Sequence, residues 1–179
     1  MALLKIAQIG HPVLRQIARP VADVADPDMR RLMDDMVATM LDAPGIGLAA
    51  PQVYRSTRLI AFSVPAERLG PDDPPPPDGI SVLANPAFEP LDDERVTGVE
   101  GCLSIPHLRG LVPRYRRIVY RGVAPDGSPV EQVAEGMVAR VVQHEIDHLD
   151  GLLFLDRMCD LKALATDDEL HHLLEPEAT

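Results

Sequence analysis

The run His144-Glu145-Ile146-Asp147-His148 holds the residues best suited to chemistry. On a helix, side chains four apart share a face, with Cβ atoms about 5–6 Å apart. Two imidazoles so placed reach one metal ion at roughly 2.0–2.1 Å each. Glu145, beside His144, can then hold a water at the ion without being a ligand. By itself HExxH also fits an amphipathic helix end that carries two histidines. Position argues against that reading. His144, Glu145 and His148 share the inward side of Val141, where three polar side chains without partners are costly.

Two histidines do not complete a site. Downstream, Asp150, Asp156, His171 and His172 stand at none of the spacings that zinc proteases use. Upstream, Cys102 in Glu100-Gly-Cys-Leu-Ser104 is the better third ligand, since a thiolate suits soft and borderline metals. A Gly before it and a Ser and Pro after it read as a loop built for close approach. Cys159 reads instead as a small buried hydrophobe.

These residues need elements to hold them. A helix from about Glu135 to Leu149 carries the HEIDH run, with Val138, Val141, Val142, Ile146 and Leu149 as apolar contacts and Gly151 as the stop. An earlier helix starts at Asp26 as N-cap with Pro27 following. Met29, Leu32, Met33, Met36, Val37, Met40 and Leu41 form its core face, and Pro44 and Gly45 end it. Residues 11–20 allow one short helical turn. Thr57 to Ser63 reads as a strand. Residues 65–79, with the proline run at 71–77, read as a surface excursion that forms neither strand interior nor helix. Residues 80–99 read as short strands broken at Pro86 and Pro90. Arg116 to Gly122 and Pro129 to Val133 read as a hairpin turning at Asp126-Gly127. A short helix starting at Thr166 fits a capping box with Glu169. No repeat or linker divides the chain. Residues 1–179 are expected to form one α+β domain: short, mostly antiparallel strands around a central helix bearing HEIDH.

Composition narrows the function. Hydrophobic residues make up 46% and charged residues 25%, as in ordinary globular chains. Aromatics are only 3%, so aliphatic residues and Met must fill the core. The formal charge of −11 repels phosphate backbones and disfavours nucleic-acid binding, yet leaves room for transient docking on a basic partner. Two cysteines are too few for a disulfide framework to be the organising device. Lacking a secretory leader pattern and an apolar run of about 18 residues, the chain is expected in a reducing cytoplasm, away from membranes.

Three segments together resemble the peptide deformylase family: GIGLAAPQ (Gly45 to Gln52), EGCLS (Glu100 to Ser104) and QHEIDHLDG (Gln143 to Gly151). HPVLRQIARPV near the start and SIPHLRGLVPR after the second motif extend the resemblance over nearly the whole chain. The resemblance implies an enzyme that removes the formyl group from the N-terminal formyl-methionine of newly made proteins. By it, Cys102, His144 and His148 are the metal ligands and Glu145 the catalytic acid/base. Gln52 and the Leu103 N–H stabilise the oxyanion. Gly45, Ile46 and Gly47 belong to a loop whose backbone pairs with an extended peptide, and Arg109 lines the cleft. The implied ion is iron(II); ligand softness alone also admits zinc, nickel or cobalt. A nascent-chain substrate leaves room for transient ribosome contact. The proline-rich insertion and the short tail after Leu174 differ from some members.

Two other readings share the motif. A zinc endopeptidase requires a downstream third ligand. A closed structural metal module requires a fourth protein ligand and gives Glu145 and Gln52 no task.

Overall fold

A computed structural model describes residues 2–43 and 45–174. The expected ending of the first helix at Pro44, and the tail after Leu174, lie outside them. The elements run α1 (Pro27–Asp42), β1 (Gly47–Ala49), β2 (Leu59–Phe62), β3 (Ser81–Pro90), β4 (Arg95–Cys102), β5 (Ile105–Tyr115), β6 (Arg117–Val123), β7 (Pro129–Glu135), α2 (Gly136–Leu149), α3 (Phe154–Arg157), β8 (Leu164–Thr166) and α4 (Leu170–Leu174). A five-stranded antiparallel sheet has the order β1-β2-β3-β6-β7, and a three-stranded one the order β4-β5-β8.

The continuous apolar run of β2 has a simple cause. Successive strand side chains point to opposite faces. Leu59 and Ala61 pack with Met33, Met36 and Met40 of α1, while Ile60 and Phe62 pack with Val138, Val142 and Ile146 of α2. The large sheet therefore lies between the two helices. The other side of α2 meets β5 of the small sheet, which leaves every residue from Val138 to Leu149 buried. The fold is α+β, as expected, with α2 at its centre.

Asp26 caps α1, its side chain accepting from the Asp28 N–H at 2.8 Å. Leu41, expected on the core face, is 58% exposed. It lies about 100° around the helix from Met40, off the buried stripe. The turn at Pro12–Arg15 and the β6–β7 hairpin form as expected.

Elsewhere the structure corrects the sequence reading. Pro86 does not break β3; the strand shifts register between Ala84 and Ala87 instead. A bulge tolerates a residue without an N–H. Asn85, at φ 52°, secures it through side-chain bonds to the Val21 N–H and carbonyl. Thr166 caps no helix, because its backbone pairs with Leu108 in β8, and α4 begins only at Leu170. The 65–79 segment contains a 3-10 turn, Ala66–Arg68, and is anchored rather than free. Asp73 accepts from the N–H groups of Gly70 and Met137, both at 2.9 Å. Met137 is the second residue of α2, whose preceding residue Glu135 makes no side-chain cap. The excursion thus caps the central helix from 64 residues away.

Candidate active site

The β4–β5 hairpin turns through Leu103 and Ser104, with Cys102 paired to Ile105 at its tip. The tip meets the last turns of α2. Cys102 Sγ lies 3.3 Å from His148 Nε2, and the His144 and His148 rings have centroids 5.0 Å apart. One donor atom from each of Cys102, His144 and His148 falls within 4.8 Å of the others, and all three residues are buried. The hairpin of the small sheet thus brings Cys102 to two histidines of the central helix that lie 42 and 46 positions later in the sequence.

Gln52 stands in the 3-10 turn Ala50–Val53 that follows β1. Its Oε1 accepts from the Ala49 N–H at 2.8 Å, which fixes the amide orientation. Nε2 then points into the site, 3.4 Å from Cys102 Sγ and 3.2 Å from Ser104 Oγ. Glu145 is 4% exposed, and its Oε2 has no hydrogen-bond partner among the described residues. Burial pushes its carboxyl up to about 7, against the pull of His144 and His148. Burial also opposes ionisation of Cys102, but the His148 and His144 imidazoles outweigh it and hold the thiol well below its ordinary value.

The expectation that His144 lacks a protein partner is corrected. Its Nδ1 lies 2.8 Å from Glu100 Oε2. Glu100 receives Arg114 through both carboxylate oxygens, at 2.8 and 2.9 Å, and Arg140 at 2.8 Å. Arg114 continues to Asp147 at 2.5 Å, and Arg157 reaches Asp147 at 2.6 Å. Burial alone would raise the Glu100 carboxyl, but its bonds to Arg114 and His144 hold it far below the usual carboxylate range. A ligating histidine is oriented by the group that holds its other ring nitrogen, and Glu100 fills that position for His144. Sequence reasoning missed this network. One signal was available: Arg140, His144 and Asp147 fall on one face of a helix whose remaining residues are apolar enough to be buried.

A cleft of about 440 Å³ opens beside the cluster, lined among others by Gly45, Ile46, Gly47, Leu103 and Arg109. Gly47 lies in β1, at the edge of the large sheet, rather than in a loop. A Cβ there would overlap Glu145 Oε1, so a glycine is needed beside that carboxylate. Arg109 is half-buried and bonded to Asp167 at 2.7 Å. The other candidates for a third ligand lie away from the cluster. Asp150 pairs with Arg58, Asp156 with Arg15, and His171 and His172 sit exposed on α4. Cys159 is exposed, not buried as expected, in the irregular stretch after α3.

The residues fit a metal ion. One thiol and two imidazoles form a borderline-soft donor set. Among the described residues no fourth His, Cys, Asp or Glu joins them, which leaves a coordination position open as catalytic sites require. Glu145, whose Oε2 has no partner among the described residues, lines the cleft beside these donors.

Comparison with known proteins gives a consistent result. The family model for polypeptide deformylase matches residues 3–163. Peptide deformylase 1 of Bordetella pertussis is 46% identical over 173 residues, 97% of each chain. Peptide deformylase 1 of Xanthomonas campestris pv. campestris is 44% identical over 168 residues, covering 94% of this chain and 97% of the relative. A crystal structure of the Acinetobacter baumannii class I type b enzyme with Met-Ala-Ser bound superposes with a TM-score of 0.79 at 38% identity, covering 88% of this chain and 99% of that one. A fold, a donor cluster and relatives spanning nearly the full length agree, and the chain belongs to the peptide deformylase family.

Proposed function

We propose the following assignment of roles within the deformylase reaction, which removes the N-terminal formyl group from nascent proteins. Cys102, His144 and His148 hold one divalent ion. When bound, such an ion polarises a carbonyl and acidifies a coordinated water. Glu145 accepts a proton from the attacking water and returns it to the methionine nitrogen as the C–N bond breaks. The water oxygen ends in formate, and the peptide leaves with a free amine. Charge that builds on the formyl oxygen meets the Gln52 amide and the Leu103 N–H; one such donor lowers the barrier by about 2.7–4 kcal/mol. The substrate backbone adds to the edge of the large sheet at Gly47 in β1 and at Ile46 just before it, an extended peptide joining a sheet edge. Arg109 lines its path. The Met-Ala-Ser peptide bound to the Acinetobacter baumannii relative supports a short peptide with N-terminal methionine as the occupant.

The observation that carries the reading is the three-donor cluster facing a buried carboxylate oxygen with no protein partner. We assign iron(II) as the native ion, with zinc, nickel or cobalt as substitutes. Residues 1–179 act as one catalytic domain, working in the cytoplasm on nascent chains and meeting the ribosome transiently. No helix among the described residues is long and apolar enough to cross a membrane.

The test is anaerobic incubation of the iron(II)-loaded chain with formyl-Met-Ala-Ser, scoring formate. Absence of formate with iron, nickel, cobalt and zinc alike overturns the reading. Cys102→Ala is expected to abolish metal binding, measured by metal analysis after gel filtration; retained stoichiometric metal removes Cys102 from the ligand set.

A further inference from the structure

The mouth of the cleft is unevenly charged. On the small-sheet side, Arg109 and Asp167 pair at 2.7 Å, and His107 Nδ1 lies 3.6 Å from Asp167. Arg68, in the turn Ala66–Arg68, lines the same cleft. Its side chain is exposed, and among the described residues its guanidinium makes no hydrogen bond or ion pair. The Arg109 charge is answered locally; the Arg68 charge is not.

The loop that carries Arg68 is anchored. Five residues on, Asp73 ties the loop to the first turn of α2 through the Met137 N–H, and Met137 lines the same cleft. The fit is close: a Cβ on Gly136 would overlap the Asp73 carboxylate. The loop is therefore an anchored wall of the cleft that carries a cation.

We propose that Arg68 is a specificity residue that recognises a carboxylate on the peptide downstream of formyl-methionine. The proposal rests on the deformylase reading above. A chain of net charge −11 repels acidic peptides at long range, and an uncompensated arginine at the rim offsets that repulsion locally. Guanidinium suits the task because its planar fork matches a carboxylate. The carboxylate belongs either to an Asp or Glu side chain or to the end of a short peptide, and the substrates distinguish the two.

The experiment compares kcat/KM, by formate release, for formyl-Met-Ala-Glu-amide, formyl-Met-Ala-Lys-amide, formyl-Met-Ala-Ser-amide and free-acid formyl-Met-Ala-Ser. Arg68→Ala is expected to lower the Glu-to-Lys ratio about 2- to 5-fold, the range for a partly exposed ion pair. Arg68→Glu is expected to invert the preference, and 1 M salt to flatten it in the native chain. A matching loss of the free-acid-to-amide ratio assigns the contact to the chain end, and its retention assigns it to the side chain. Ratios unchanged in both variants, with formate still released, overturn the proposal. Absence of formate from every peptide with the native chain overturns the deformylase reading instead.

Discussion

Helices α1 and α2 have 16 and 14 residues and pack on opposite faces of one sheet, but they are built differently. α1 buries a stripe of Leu32, Met33, Met36, Thr39 and Met40 and leaves its other side in water. Its cap is the adjacent Asp26, and nearly all its stability comes from apolar packing. α2 is buried on every side, and the buried set includes Arg140, Gln143, His144, Glu145, Asp147 and His148. Its cap comes from a distant loop, and its polar residues are tolerated because most of them find partners. A helix that only supports a sheet can be local in its requirements. A helix that carries chemistry into a core must recruit groups from elsewhere to neutralise what it buries.

Five substitutions test that contrast. Glu145→Ala should separate chemistry from structure most strongly: about a 10²–10⁴-fold fall in kcat with the ion retained, read by formate release and metal analysis. Turnover within a few-fold of native would refute its proton role. Glu100→Gln strips the network of its central anion and should cost about 3–5 kcal/mol in denaturant unfolding. It should also weaken metal affinity about 10–100-fold through the loosened His144. The Glu100 carboxyl ionises below its ordinary 4.5 in the folded state. Its stabilisation is therefore present above that pH and lost as pH falls below it, so the variant should show a flatter acid limb.

Met36→Ala, at a side chain with no exposure, should cost about 2–5 kcal/mol in the same assay. It should leave metal affinity untouched; an equal loss of metal would show that α1 is not mere support. The smallest effects concern the caps. Asp26→Ala and Asp73→Ala should each cost about 1 kcal/mol. Only the second should lower the Glu-to-Lys substrate ratio, because only that cap also holds Arg68. Identical kinetics in both would dissolve the distinction between a local and a borrowed cap.

The parts legible in the sequence follow the same division. α1, α2 and the β6–β7 hairpin carry local signals: a cap, a period, a turn dipeptide. HEIDH declares its geometry because helical spacing is fixed. Cys102 was found from its chemistry, although the hairpin that delivers it was not. β5 carries no apolar alternation strong enough to announce it, and β1 and β8 are three residues each. The Glu100–Arg114–Asp147 chain stayed hidden because its members are 14 and 33 residues apart, and only the packing of a hairpin on α2 makes them neighbours. Pro86 misled for a related reason: a proline states that an N–H is missing, not whether a bulge will absorb the loss.

One contact also separates what folding tolerates from what function tolerates. Gly47 lies on an edge strand, where a small side chain would ordinarily cost the sheet little. The space its Cβ would need is held by the Glu145 carboxylate. A methyl group there would displace the one side chain assigned to move protons while leaving the core intact. A screen that scores solubility or melting temperature would pass Gly47→Ala as neutral. A screen that scores cell growth would not, and the mismatch between the two would mark a position constrained by chemistry alone.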